Sequence, residues 1–119
     1  MKAKFKFENL MVWQKAMDLG DDILFLSEKF PAKENFNLSS QSCRAADSIA
    51  LNISEGSIGQ SNPEQKRFIG SAIRSLAEVV TCLHKAKRRN YIAVDEFNCH
   101  YKQAFSLMNK LIAYKNSIK

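Results

Sequence analysis

The sequence predicts an all-α protein, an antiparallel up-and-down four-helix bundle. Three observations carry that reading. Apolar residues recur every three or four positions in four separate stretches. The 119 residues include two prolines and four glycines, too few for a turn-rich β fold. The length suits one continuous core and not two. The expected helices cover about residues 9–29, 39–56, 63–89 and 94–117, so residues 1–119 are read as a single domain.

The first helix should start at Asn9, an acceptable N-cap, and stop before Phe30-Pro31, because proline drives its predecessor out of the helical region. Trp13, Ala16, Met17, Gly20 and Leu24 make one apolar stripe, and Val12, Leu19, Ile23 and Leu26 make another beside it. Together they cover about half the cylinder, more than the roughly 100° that one core needs. The surplus is either a contact between copies or core assigned too generously. Phe25 and Met11 fall outside both stripes and are expected on the surface. The connector P-A-K-E-N-F-N-L, residues 31–38, offers Phe36 and Leu38 as anchors.

The second helix, S-S-Q-S-C-R-A-A-D-S-I-A-L-N-I-S-E-G, is the most ordered stretch. Ala46, Ile49, Ala50 and Ile53 share one face at about 100° per residue, and most of them are small enough to admit a close neighbour. Arg44, Ser48, Asn52 and Glu55 lie nearly opposite as a polar row. Burial of that row would require its groups to pair. Gly56 has the residue type favoured just past a C-terminus. After the loop S-I-G-Q-S, the run Asn62-Pro63-Glu64-Gln65 supplies an N-cap, a first-turn proline and a glutamine at the third position.

The third helix repeats Phe68, Ala72, Leu76, Val79, Leu83 and Ala86, flanked by Ile69, Ile73 and Val80. Lys85, Lys87, Arg88 and Arg89 crowd its end, where cations suit the helix dipole, and Asn90 is a suitable left-handed cap. The fourth helix begins near Ala93 or Val94 with Asp95 and Glu96 in its first turn. Phe97, Tyr101, Ala104, Met108, Leu111 and Ile112 should face the core, with Leu107, Tyr114 and Ile118 widening that face.

Composition excludes several classes. Ordinary charge and apolar content indicate a globular chain and not a disordered one. Cys43, Cys82 and Cys99 are odd in number and widely spaced, which suits reduced packing residues and neither a disulfide framework nor a zinc knuckle. The segment M-K-A-K-F-K-F-E lacks an apolar signal core, and no window approaches eighteen apolar residues, so a cytoplasmic location without a membrane partner is expected. A di-metal bundle site uses Glu-x-x-His pairs; none occurs, and His84 and His100 are read as surface or boundary residues. The glycines of G-S-I-G lack the surroundings of a phosphate-cradling loop. No cofactor or metal is expected. Glu55 and Glu78 could meet as an acid–base pair, but pairing with Arg44, Asn52 or an arginine of the third helix is the stronger expectation, and no enzyme is predicted.

The formal charge of +6 and pI near 9.3 suit an acidic partner, nucleic acid first. Arg67, Ser71, Arg74, Glu78, Lys85 and Arg89 project into a narrow band on the third helix. Arg44, Arg67, Arg74, Lys85 and Arg89 are the candidate phosphate contacts. Ser48, Asn52, Glu55, Ser75 and Glu78 are a candidate polar network fixing the second helix against the third or against a neighbouring copy. Aromatic interleaving, which would suit base stacking, is not expected, because phenylalanine and tyrosine fall mainly on core faces.

The chain also resembles a known family. Phe7, Leu10, Val12, Trp13, Lys15 and Ala16 look like the opening of the four-helix bundles named after proteins encoded in 23S ribosomal RNA intervening sequences, also labelled S23 ribosomal protein. The similarity continues through Phe30-Pro31, Glu34, Leu38, Gln41 and Arg44-Ala45-Ala46. It is strongest at Ser48-Ile49-x-x-Asn52-Ile53-x-Glu55-Gly56, and extends to Arg67-Phe68 and Ala72-x-x-Ser75-Leu76-x-Glu78. Cys43 stands where the family usually has the first of two arginines, and Arg74 where a glycine is common. The resemblance implies a homo-oligomer, a pentameric ring, acting as an adaptor for RNA or DNA without catalysis. A similar bundle is the accessory protein of diversity-generating retroelements, which implies a nucleic-acid-processing protein such as a reverse transcriptase as a further partner. The alternative is a protein-interaction scaffold that does not touch nucleic acid.

Overall fold

The computed structural model describes residues 2, 4–59 and 61–119. Its helices are α1 (Met11–Ser27), α2 (Leu38–Gly56), α3 (Asn62–Arg88) and α4 (Val94–Ser117), with short 3-10 turns at Lys6–Asn9 and Ala32–Glu34. Each helix packs on the next and α4 closes onto α1, giving an all-α four-helix bundle without a strand among the described residues.

The core follows from small residues set between large ones. On α2, Ala45, Ala46 and Ala50 alternate with Ile49 and Ile53, which are fully enclosed. On α3, Ile69, Ala72, Leu76, Val79, Leu83 and Ala86 meet them. Each enclosed leucine or isoleucine contributes roughly 1.5–3 kcal/mol of burial. At the end of α2 the approach is tightest: a Cβ on Gly56 would stand 2.9 Å from the Phe68 Cβ. Gly56 is the last helical residue, not the left-handed residue beyond it, so it serves close packing and does not cap the helix.

Helix starts differ from expectation by a residue or two. Leu10, not Asn9, precedes α1, which ends at Ser27. Ser61, not Asn62, caps α3: its hydroxyl accepts from the Glu64 N–H, and Pro63 lies in the first turn. Gln60 of the preceding loop lies outside the described residues. The expected cap at Asn90 forms, with φ of 61°. The Tyr91 N–H bonds to the Ala86 carbonyl and the Asn90 N–H to the Lys87 carbonyl, the double closure of a Schellman motif. On α4, Glu96 reaches back to the Ala93 N–H and also pairs with Lys29, which compensates for alanine as a poor cap.

The apolar arcs of α1 and α4 are wider than the core they serve. Met17, Leu24, Tyr101 and Ile112 are exposed, whereas Leu107 is buried in place of the last two. Met11 and Phe25 are on the surface as expected. Phe36 is 99% exposed and anchors nothing, while Leu38 is buried. Cys82 is buried and Cys43 half-buried against the Ser27 hydroxyl, but Cys99 is exposed and packs against no core.

Candidate nucleic-acid interface

The polar row of α2 meets α3 through hydroxyls and one amide. Ser48, Asn52 and Ser75 are half-buried at the α2–α3 seam, where i, i+4 spacing on α2 brings Asn52 under Ser48. The Asn52 amide donates to the Ser48 carbonyl at 2.9 Å and to the Ser48 hydroxyl oxygen at 3.0 Å. Ser75 Oγ and Ser48 Oγ are 3.0 Å apart across the seam, with the Ser75 hydroxyl donating. Glu55 and Glu78 do not join this set. Both are exposed, and neither has a hydrogen bond or ion pair among the described residues, so the expected pairings with Arg44, Asn52 or an α3 arginine are not formed. The five-residue network is therefore a closed trio with two carboxylates standing outside it.

The candidate phosphate contacts divide as well. Arg44, Arg74 and Lys85 are exposed and lack an acidic partner among the described residues. Arg67 lies 3.8 Å from Glu64 and 5.6 Å from the centre of the Phe68 ring, with its side chain 69% exposed, so that pair is weak and screened. Arg67 and Arg74 are seven residues apart, about 10 Å along the axis.

Arg89 has a different role. Its guanidinium donates to Glu34 Oε2 at 3.0 Å, and the Tyr91 hydroxyl donates to the same oxygen at 2.6 Å. The other oxygen of Glu34 accepts from the Asn37 amide at 2.9 Å and from the Leu38 N–H at 3.3 Å. Glu34 is 5% exposed, so the carboxylate is enclosed and fully partnered. Leu38 opens α2, and its N–H is one of the donors that a helix start leaves without an intrahelical acceptor. Glu34 thus caps α2 and clasps the end of α3. The Tyr91 hydrogen bond is the chief cause holding the Glu34 carboxyl below the usual carboxylate range, with Leu38, Asn37 and Arg89 acting the same way against burial. In turn, Glu34 pushes the Tyr91 hydroxyl above its ordinary value. This clasp joins residues 55 and 57 positions apart, in loops and helix ends where no periodicity operates. In the sequence it is signalled only by Glu34, one of the residues that carry the family resemblance.

Charge is partitioned between the two helical hairpins. Residues 62–119 hold eleven of the eighteen lysines and arginines and four of the twelve carboxylates, net +7. Residues 1–61 hold the other seven and eight, net −1. The positive potential thus belongs to α3 and α4, the helix pair that carries four of the five candidate cations. Aromatics contribute more to this half than the sequence indicates. Phe97, Tyr101 and Phe105 stack along α4 with centroids 5.6 Å and 6.5 Å apart, and Tyr101 and Phe105 emerge from the core face. His84, exposed on α3, meets Phe97 edge-on at 4.9 Å, and His100 is half-buried beside Gln103.

No group of three or more His, Cys, Asp or Glu side chains suited to a metal occurs among the described residues. No helix among them is long and apolar enough to cross a membrane.

The chain matches the family model described as 23S rRNA-intervening sequence protein over residues 8–113. Among solved structures, it is similar to a protein of unknown function from the S23 ribosomal protein family of Bacteroides thetaiotaomicron. The two align with a TM-score of 0.82 over 88% of this chain and 98% of the other, at 22% identity. At that identity the likeness speaks for the fold. None of the curated proteins matches.

Proposed function

The chain belongs to the 23S rRNA-intervening sequence protein family, and on that premise we propose a non-enzymatic, self-associating adaptor that binds structured RNA through the outer surface of α3. One observation carries the proposal: the whole net charge of +6 resides in the α3–α4 half, which alone carries +7. Arg67, Arg74 and Lys85, with Arg44 from α2, are the phosphate contacts. Arg89 is withdrawn from that set because Glu34 engages it. The Ser48–Asn52–Ser75 trio holds α2 against α3 so that cations from two helices keep a fixed spacing. A cytoplasmic location agrees with an RNA partner.

Binding through phosphates displaces counterions, so affinity must fall with salt by about 0.7–0.9 log units per contact per log unit of salt. Four contacts give a slope of roughly −3. Arg67→Glu with Arg74→Glu should reduce the slope by about 2 and abolish a gel shift with total RNA at moderate salt. A shift that is absent in the wild type, or that does not respond to salt, refutes the RNA reading. It favours instead a protein-interaction scaffold, the reading supported by the exposed apolar residues of α1 and α4.

A further inference from the structure

The cationic row of α3 ends close to an aromatic ring that nothing covers. Arg67, Arg74, Lys85 and Arg89 share one band of the helix, and Arg89 reaches Glu34 of the connector at 3.0 Å. Phe36 stands two residues beyond Glu34, a span of at most about 7 Å between Cα atoms. At 99% exposure, both faces of its ring are open. The turn that carries it is nonetheless fixed. The Asn35 N–H donates to the Ala32 carbonyl at 3.0 Å, and the Asn37 N–H donates to the Glu34 carbonyl at 2.9 Å. The Asn37 amide also binds Glu34, and Gln41 of α2 donates to the Asn37 side-chain oxygen at 3.3 Å. Backbone on either side of Phe36 is thus tied down. Its chain neighbours Asn35 and Asn37 are polar. Lys33 in the same connector and Arg88 at the end of α3 are exposed, without an acidic partner among the described residues.

We infer that Phe36 stacks on an unpaired nucleobase, so that the RNA held along α3 is a duplex whose strand runs on into a single-stranded tail or loop at the Glu34 end of the bundle. This deepens the RNA reading proposed above, on which it rests, by naming the class of RNA. Cations along a helix contact phosphates and position a strand without reading its bases. An open aromatic ring adds a choice, because bases inside a duplex are already stacked and splayed ones are free to lie on it. The surroundings favour a base over a protein side chain. A protein contact has an apolar core inside a polar rim, whereas Phe36 is a single ring among amides and cations. The fixed turn lowers the cost of ordering the ring on binding. Each base has a π face, so unpaired strands are selected without regard to sequence.

Two RNAs test the assignment: a blunt duplex, and the same duplex with a short single-stranded tail carrying 2-aminopurine. Wild type should bind the tailed RNA more tightly and change the 2-aminopurine emission. Phe36→Ala should weaken binding of the tailed RNA by roughly 5- to 150-fold, the range of one base–aromatic stack, and lose the emission change. Its affinity for the blunt duplex, and the salt dependence of that affinity, should match wild type, because no phosphate contact is removed. Melting should be unchanged, since the ring packs on nothing, and Phe36→Trp should restore the preference for the tail. A wild type that binds neither RNA overturns the RNA reading and the stacking with it. Equal binding of both RNAs by wild type, or a preference that Phe36→Ala retains, overturns the stacking alone. So does a Phe36→Ala protein that melts lower and loses both RNAs equally, which would make the ring structural. A variant that binds the tailed RNA as wild type does but forms a smaller assembly in light scattering would assign the ring to a protein contact instead.

Discussion

The bundle holds two polar sets of opposite design. At one end, Glu34 gathers donors from α2, the Asn90 turn and the end of α3 around a single enclosed carboxylate. Along the α2–α3 seam, Ser48, Asn52 and Ser75 share neutral hydrogen bonds while Arg44, Glu55 and Glu78 stand beside them unpartnered among the described residues. A closed set fixes structure and offers a partner nothing. An open row has groups left to give, and that difference separates the parts that hold the fold from the surface proposed for binding.

The clasp should give the largest effect when broken. In Glu34→Gln the volume is retained, but Arg89 loses its anionic partner and Tyr91 keeps a weaker acceptor. We expect the largest fall in melting temperature of any polar substitution in the chain. The pH dependence follows from the same contacts. The folded-state pKa of Glu34 lies below the ordinary carboxylate value of about 4.3. Its stabilisation is therefore complete above that value and is lost as pH falls through the lowered one. Glu96, lowered chiefly by Lys29, acts in the same direction. Urea titrations between pH 7 and pH 3 should show a flatter decline for Glu34→Gln than for wild type. Parallel curves would mean that the carboxylate is not held as described.

This contrast also marks what the sequence reveals. Helix faces repeat, so Ile49, Ile53, Leu76 and Val79 can be placed in the core from spacing alone. The Ser48–Asn52 step on α2 is an i, i+4 pair and is legible for the same reason. Glu34 is not, because its partners come from chain segments whose approach is set by two helix ends and a left-handed turn at Asn90. Phe36 misleads in the opposite way: an aromatic in a connector suggests an anchor, yet the 3-10 turn ending at Glu34 buries the acid and leaves the ring in solvent. Spacing points Tyr101 and Ile112 inward on α4 although both are exposed, because it gives the breadth of an apolar arc but not how much of it the bundle covers. The cations of α3 are legible as a row, but that Arg89 is held by Glu34 is not.

The seam trio should respond next. Asn52→Leu removes both hydrogen bonds that the Asn52 amide donates to Ser48 and leaves the one from the Ser75 hydroxyl, at a half-buried position. A loss of about 1 kcal/mol is expected, the net value of a typical hydrogen bond in a folded protein. Equilibrium unfolding of Asn52→Leu, Ser75→Ala and the double variant should reveal coupling, because the two side chains meet at one hydroxyl. Strict additivity would show that the trio is not connected through Ser48.

The smallest effect on stability is expected at Glu55 and Glu78, and it is the most informative. Neither carboxylate has a partner among the described residues, and both are exposed, so Glu55→Ala and Glu78→Ala should each change unfolding free energy by no more than about 0.5 kcal/mol. Their influence on RNA should be larger. Glu78 lies on α3 between Arg74 and Lys85, where a carboxylate repels phosphate, so its removal should tighten RNA binding while leaving melting unchanged. Glu55 shares the α2 polar row with Arg44, so its removal should act on RNA binding in the same direction. A Glu78→Ala protein that melts lower and binds no better would place its carboxylate inside a structural pair. The open row would then be a second clasp, and the distinction between the two polar sets would disappear.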